Sequence, residues 1–110
     1  MAHFATKTTV DSGRVVVALT GDCDLAAREE LTSALLAAVD HGEVVVVDLG
    51  AVEFLDSSGI HGLVTAHQAA QRAGREFYAI NARGIVAHVL DLTGVGAMLA
   101  PTHDGEPFPD

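Results

Sequence analysis

The sequence predicts an α/β domain in which helices cross over a mixed sheet, and three features of its patterning carry that expectation. An apolar hairpin opens the chain, an unbroken apolar run stands near its middle, and helical periodicity lies on either side of that run. Strands beneath crossover helices read as near-continuous apolar stretches, whereas an amphipathic helix spaces its apolar residues three and four apart. Alternation of the two patterns is the mark of consecutive βαβ units.

Each element follows in order. Residues 4–10 alternate weakly, residues 14–20 are solidly apolar and rich in β-branched side chains, and Asp11-Ser12-Gly13 between them reads as a hairpin turn. The period then lengthens. Ala27, Leu31, Ala34, Leu35 and Ala38 predict a helix over 25–39, with Asp24 as its N-cap and His41-Gly42 as its stop. Glu29 and Glu30 lie in its N-terminal half, where the helix dipole favours acids. Residues 44–49, apolar except for Asp48, predict a parallel-type strand covered on both faces. A second helix is expected from about 57 to 73. It carries Ile60, Leu63, Val64 and Ala70 on one face and His61, Thr65, Gln68 and Arg72 on the other, and Gly74 ends it. A third parallel-type strand over 76–81 and a third helix over 84–92 come next. A short apolar segment near 97–100 closes the domain, giving β-β-α-β-α-β-α with or without a final strand, and so four to five strands. The folded unit is expected over 1–100. Pro101, Pro107 and Pro109, with Asp104, Glu106 and Asp110, make 101–110 a tail unable to pack a core, and it is expected to be flexible.

Composition narrows the function. A chain of 110 residues holds one core, and 49% hydrophobic residues are too many for a disordered segment. Mean hydropathy is +0.33, yet no apolar run approaches the roughly 20 residues of a spanning helix. The first seven residues lack the basic-then-apolar order of a signal peptide, so a cytoplasmic protein is expected. The net charge is −9, with 15 acids against six lysines and arginines; this disfavours nucleic acid and favours a basic protein surface as partner. Cys23 is the only cysteine, which excludes an internal disulfide and a cysteine-based zinc site.

In an open α/β sheet the functional rim lies at the carboxyl ends of the parallel strands. Two strand-to-helix turns are expected at that rim: Thr20-Gly21-Asp22-Cys23-Asp24 and Leu55-Asp56-Ser57-Ser58-Gly59. With those strands as neighbours, Asp24 comes near Ser57. Local chemistry alone reads Asp56-Ser57-Ser58-Gly59 as a helix cap, with Gly59 permitting a tight turn. It also admits a phosphorylation site, because exposed N–H groups and the positive helix end tolerate a dianion. Asp22, Asp24 and Asp56 would then make the modified edge strongly anionic.

Three segments together carry a family resemblance. Gly21-Asp22-Cys23-Asp24, then Phe54-Leu55-Asp56-Ser57-Ser58-Gly59-Ile60, then Leu92-Thr93-Gly94-Val95 resemble the successive signatures of the STAS domain, closest to the bacterial anti-sigma factor antagonists. The resemblance spans about residues 8–99. It implies that Ser57 is the phosphoacceptor of an anti-sigma factor that is also a serine kinase of the histidine-kinase-like ATPase type. A PP2C-type phosphatase reverses the modification, and only the unmodified antagonist binds the anti-sigma factor and frees the sigma factor. By the same resemblance, Asp24 is the acid of the neighbouring loop and Asp56 and Ser58 flank the acceptor. The expected partner-binding set is therefore Asp22, Asp24, Asp56, Ser57, Ser58, Gly59 and His61. A scaffold subunit of a larger signalling or transport assembly, without phospho-switching, is the alternative. A small-molecule or nucleotide-binding enzyme is a third reading.

Two positions depart from the family pattern. Asp22 stands where glutamate is usual, with Cys23 in the apolar place beside it, and His61 follows Ile60 where a small or apolar residue is commoner. Cys23 reads as a small apolar residue. His61, four residues after Ser57, shares a helical face with it. The remaining histidines are scattered, and His61 and His67 fall on different faces, so no metal site is expected. Neither a Gly-x-Ser-x-Gly elbow nor a glycine-rich phosphate loop occurs. No cofactor and no catalytic residue are expected.

Overall fold

The structure is a computed structural model that describes residues 3–101. The chain opens with β1 (Ala5–Asp11) and β2 (Arg14–Cys23), antiparallel, with Asp11 opposite Arg14. Ser12 and Gly13 form the two-residue turn with φ of 51° and 82°. Both angles are left-handed, as in the hairpin turn whose twist matches that of paired strands.

A short 3₁₀ turn, Leu25–Ala27, leads into α1 (Arg28–His41). The expected first helix is thus divided. Asp24 caps the 3₁₀ turn, accepting from the Ala27 N–H at 3.2 Å, and the α-helical hydrogen bonding starts only at Arg28. Then come β3 (Val44–Leu55), α2 (Ser57–Arg72), β4 (Glu76–Ile80), α3 (Gly84–Thr93) and α4 (Val95–Met98). The sheet order is β1-β2-β3-β4, with β2, β3 and β4 mutually parallel. Among the described residues the strand count is four. The closing apolar segment is the helical turn α4, whose following residue Leu99 gives one backbone bond to β4, accepting from Ala79 N–H at 2.8 Å. The 102–110 part of the expected tail lies outside the described residues.

One cluster joins a single face of the sheet to all four helices. Val15, Val17 and Leu19 of β2, Val45, Val47 and Leu49 of β3 and Phe77 and Ala79 of β4 meet Leu31 and Leu35 of α1, Leu63 and Ala66 of α2, and Val86, Leu90 and Val95 beyond. The other face is less covered: Val16, Ala18 and Thr20 are only half-buried, so β2 alternates instead of being sealed on both sides. The corresponding expectation for β3 holds at Val46, which is fully buried, but not at its half-buried neighbours Val44 and Asp48.

The largest departure from the sequence reading is the length of β3. It runs to Leu55, not Leu49, and pairs with β2 throughout. Between Ala18 and Thr20 of β2, β3 advances three residues from Asp48 to Ala51; between Gly21 and Asp22 it advances two, from Val52 to Phe54. Each irregularity inserts one residue into β3, as a bulge does. Buried positions therefore step from Leu49 to Val52 to Leu55, every third residue, in place of the period of two. The two inserted residues set Leu55 opposite Cys23, where a regular ladder would set Glu53.

Candidate functional site

The expected rim forms where β2 and β3 end together. Cys23 pairs with Leu55, and the Asp56 N–H donates to the Cys23 carbonyl at 3.3 Å, tying one turn to the other. Asp24 and Asp56 then start their respective helices.

Asp56 is the N-cap of α2. One carboxylate oxygen, Oδ1, accepts from Ser58 N–H at 2.8 Å and from Gly59 N–H at 3.2 Å. Two of the otherwise orphaned amides of the first turn are thereby satisfied. Ser57 follows as the first helical residue; it is exposed, and its hydroxyl makes no hydrogen bond to the described residues. Capping thus falls to Asp56 and leaves the Ser57 hydroxyl outside the cap. Ser58 is half-buried behind it.

Gly59 has a different use from the one its sequence position suggested. It lies within regular helix and is buried, and a Cβ there would come within 2.6 Å of the Cys23 carbonyl oxygen and of Leu55 Cδ1. Its lack of a side chain lets the first turn of α2 press against the end of β2. Gly21 is required twice over: its φ is 84°, and a Cβ would strike the His3 carbonyl passing over it.

The acids gather about Cys23. This thiol is fully buried, and its pKa is pushed up to about 12, first by burial and then by the charges of Asp24, Asp22 and Asp56. Cys23 is accordingly a packing residue that stays protonated, unsuited to nucleophilic or redox chemistry. No ion pair engages Asp22, Asp24 or Asp56 among the described residues. All three carboxylates act on the Cys23 thiol from the ends of β2 and β3, the same two strand ends from which exposed Ser57 follows.

His61 lies one helical turn beyond Ser57, exposed, in a groove of about 270 Å³ between α1 and α2 that Arg28, Thr32 and Thr65 also line. None of Asp22, Asp24, Asp56 and Ser57 lines that groove. Leu25 and Phe54, outside the expected partner-binding set, are both exposed next to these capping acids. Exposure of an apolar side chain at a strand end has no sequence signature.

A second concavity of about 600 Å³ involves Thr20, Asp48, Gly50, Asn81 and Arg83. Its polar groups are turned on one another: Asp48 Oδ1 accepts from Gly50 N–H at 2.9 Å and Asn81 Nδ2 at 3.1 Å, and Arg83 Nε donates to the Gly50 carbonyl at 3.1 Å. These bonds brace the first bulge of β3. Among the described residues no group of three or more histidine, cysteine or acidic side chains is arranged to hold a metal ion.

The sequence profile of the STAS domain matches residues 5–106. The chain belongs to the STAS domain family. An anti-sigma factor antagonist from Mycobacterium paratuberculosis is 30% identical, the likeness covering 93% of this chain and 89% of that one at a TM-score of 0.80. Two more distant structures show the shared fold. The Bacillus cell fate determinant SpoIIAA in its phosphorylated form is 20% identical over 86% of each chain, with a TM-score of 0.67. A sulfate transporter family protein from Wolinella succinogenes is 16% identical over 84% of this chain and 75% of that one, with a TM-score of 0.71. No curated protein matches the sequence. No helix among the described residues is long and apolar enough to cross a membrane.

Proposed function

We propose that this STAS domain is a cytoplasmic anti-sigma factor antagonist whose binding is switched at Ser57. Its unmodified rim binds an anti-sigma factor of the histidine-kinase-like ATPase type, and the sigma factor is released. That partner phosphorylates Ser57, which abolishes binding, and a PP2C-type phosphatase restores it. The chain acts as a binding module, and catalysis belongs to its partners. The observation carrying this reading is that Ser57 is exposed with an uncommitted hydroxyl while Asp56 does the capping. A phosphate there adds charge to an edge already formed by Asp22, Asp24 and Asp56, and it places a dianion where a docked partner would have to exclude water. Likeness to the 30%-identical antagonist supports the same reading.

The test is incubation with ATP and the histidine-kinase-like anti-sigma factors of the source genome, with phosphate located by mass spectrometry. Phosphate is expected on Ser57, with Ser57→Ala still binding the partner and Ser57→Asp binding poorly. Phosphate elsewhere, or equal affinity of both variants, refutes the switch. Likeness to the sulfate transporter family protein supports the alternative of a scaffold subunit without phosphorylation; a stable high-order assembly in light scattering would favour it.

A further inference from the structure

We propose that Phe54 and Leu25 form the apolar anchor of the docking surface, and that the occupant is a basic protein surface with an apolar pocket. Resting on the switch reading above, this inference adds which residues hold the partner. Leu25 is 68% exposed and Phe54 46% exposed. Single exposed apolar residues are ordinary on protein surfaces, but these two are tied to the charged rim by position. Leu25 follows Asp24, the cap of the 3₁₀ turn, and Phe54 stands two residues before Asp56, the cap of α2. Phe54 is also the cross-strand partner of Asp22. Paired strands lie about 5 Å apart, and three residues of chain reach at most about 11 Å. The backbones of Leu25 and Phe54 are therefore within roughly 16 Å of each other, inside the footprint of one standard interface side. Of the other exposed large apolar residues, Val10 lies at the end of β1, Ile85 and Leu92 on α3 and Met98 on α4.

An aromatic group beside a rim of charges is how protein interfaces concentrate affinity: the apolar group fills a pocket and the polar ring excludes water from it. The acids here have no ion-pair partners among the described residues. Arginine or lysine bordering the partner's pocket would complement them, and the net charge of −9 opposes a second copy of the chain. On this assignment the carboxylates choose the partner and steer it, and Phe54 and Leu25 hold it.

The experiment titrates each purified histidine-kinase-like anti-sigma factor of the source genome with the parent chain and with Phe54→Ala, Leu25→Ala and Ser57→Asp, every variant first checked for an unchanged unfolding midpoint. Phe54→Ala is expected to weaken binding at least about 30-fold and Leu25→Ala roughly 5-fold. Both effects should lie in the dissociation rate and be insensitive to salt. Variants at both positions within twofold of the parent, with Ser57→Asp still defective, would overturn the anchor and leave the switch standing. A parent chain that binds none of these proteins would remove the switch reading and the anchor with it. Self-association of the parent in light scattering, abolished by Phe54→Ala, would overturn the assignment in favour of a second copy.

Discussion

The division of labour between Asp56 and Ser57 illustrates what a single residue type can and cannot reveal. Both are good N-cap residues, and the sequence leaves open which one caps. The structure gives the work to Asp56, through bonds of 2.8 and 3.2 Å to the amides of Ser58 and Gly59. Asp56→Ala is therefore expected to cost about 1 kcal/mol of stability. Ser57→Ala removes a solvated hydroxyl and should stay within about 0.5 kcal/mol of the parent. Chemical denaturation of the two variants checks this, and an equal loss in both would mean that Ser57 also caps. Gly59 carries the same lesson. Its presence in the turn was legible, but its reason was not, because contact with the Cys23 carbonyl depends on where another strand ends.

At the scale of elements, the helices and the parallel order were legible because period and length agree over many residues. The second half of β3 was not. Two inserted residues shift the buried set to Leu49, Val52 and Leu55, and the sequence there shows neither strand nor helix periodicity. Local patterning reports the regular ladder, whereas a bulge is settled by the neighbouring strand. The α2–β4 contact yields a prediction that periodicity could not supply. His67 meets Phe77 edge-on, with ring centroids 6.0 Å apart, and its Nδ1 is buried without a hydrogen-bond partner among the described residues. Burial lowers its pKa from 6.5, so the folded protein resists a proton that the unfolded chain accepts. The sign follows: stability is complete above 6.5, falls as pH drops from 6.5 through the lowered folded value, and levels off below it. Thermal unfolding between about pH 7.5 and 5.5 should show this decline, and His67→Leu should flatten it. Identical pH slopes in parent and variant would assign the decline to other groups.

For the whole molecule, charge would act at two ranges with opposite consequences for the proposed switch. The chain carries −9, and phosphate on Ser57 would add about −1.5 to −2. Toward a basic partner, long-range attraction grows with that addition, so the encounter should become slightly faster. In the proposed switch the block must therefore act at contact, where the dianion would have to shed water and displace the apolar fit inferred at the rim. Stopped-flow measurements with phosphoserine placed at position 57 during synthesis separate the two. The association rate is expected to stay equal or rise up to a few-fold at low salt. The dissociation rate should increase by about 100-fold or more, the cost of a desolvated, unpaired charge at an interface. In both forms association should slow as ionic strength rises, since at about 0.1 M the screening length is roughly 10 Å, shorter than the molecule. A collapse of the association rate with dissociation unchanged would contradict contact exclusion and mean that the phosphate repels the partner at a distance. Such repulsion requires an acidic partner face, and the uncompensated carboxylates of Asp22, Asp24 and Asp56 would already have turned that face away before any phosphate arrived.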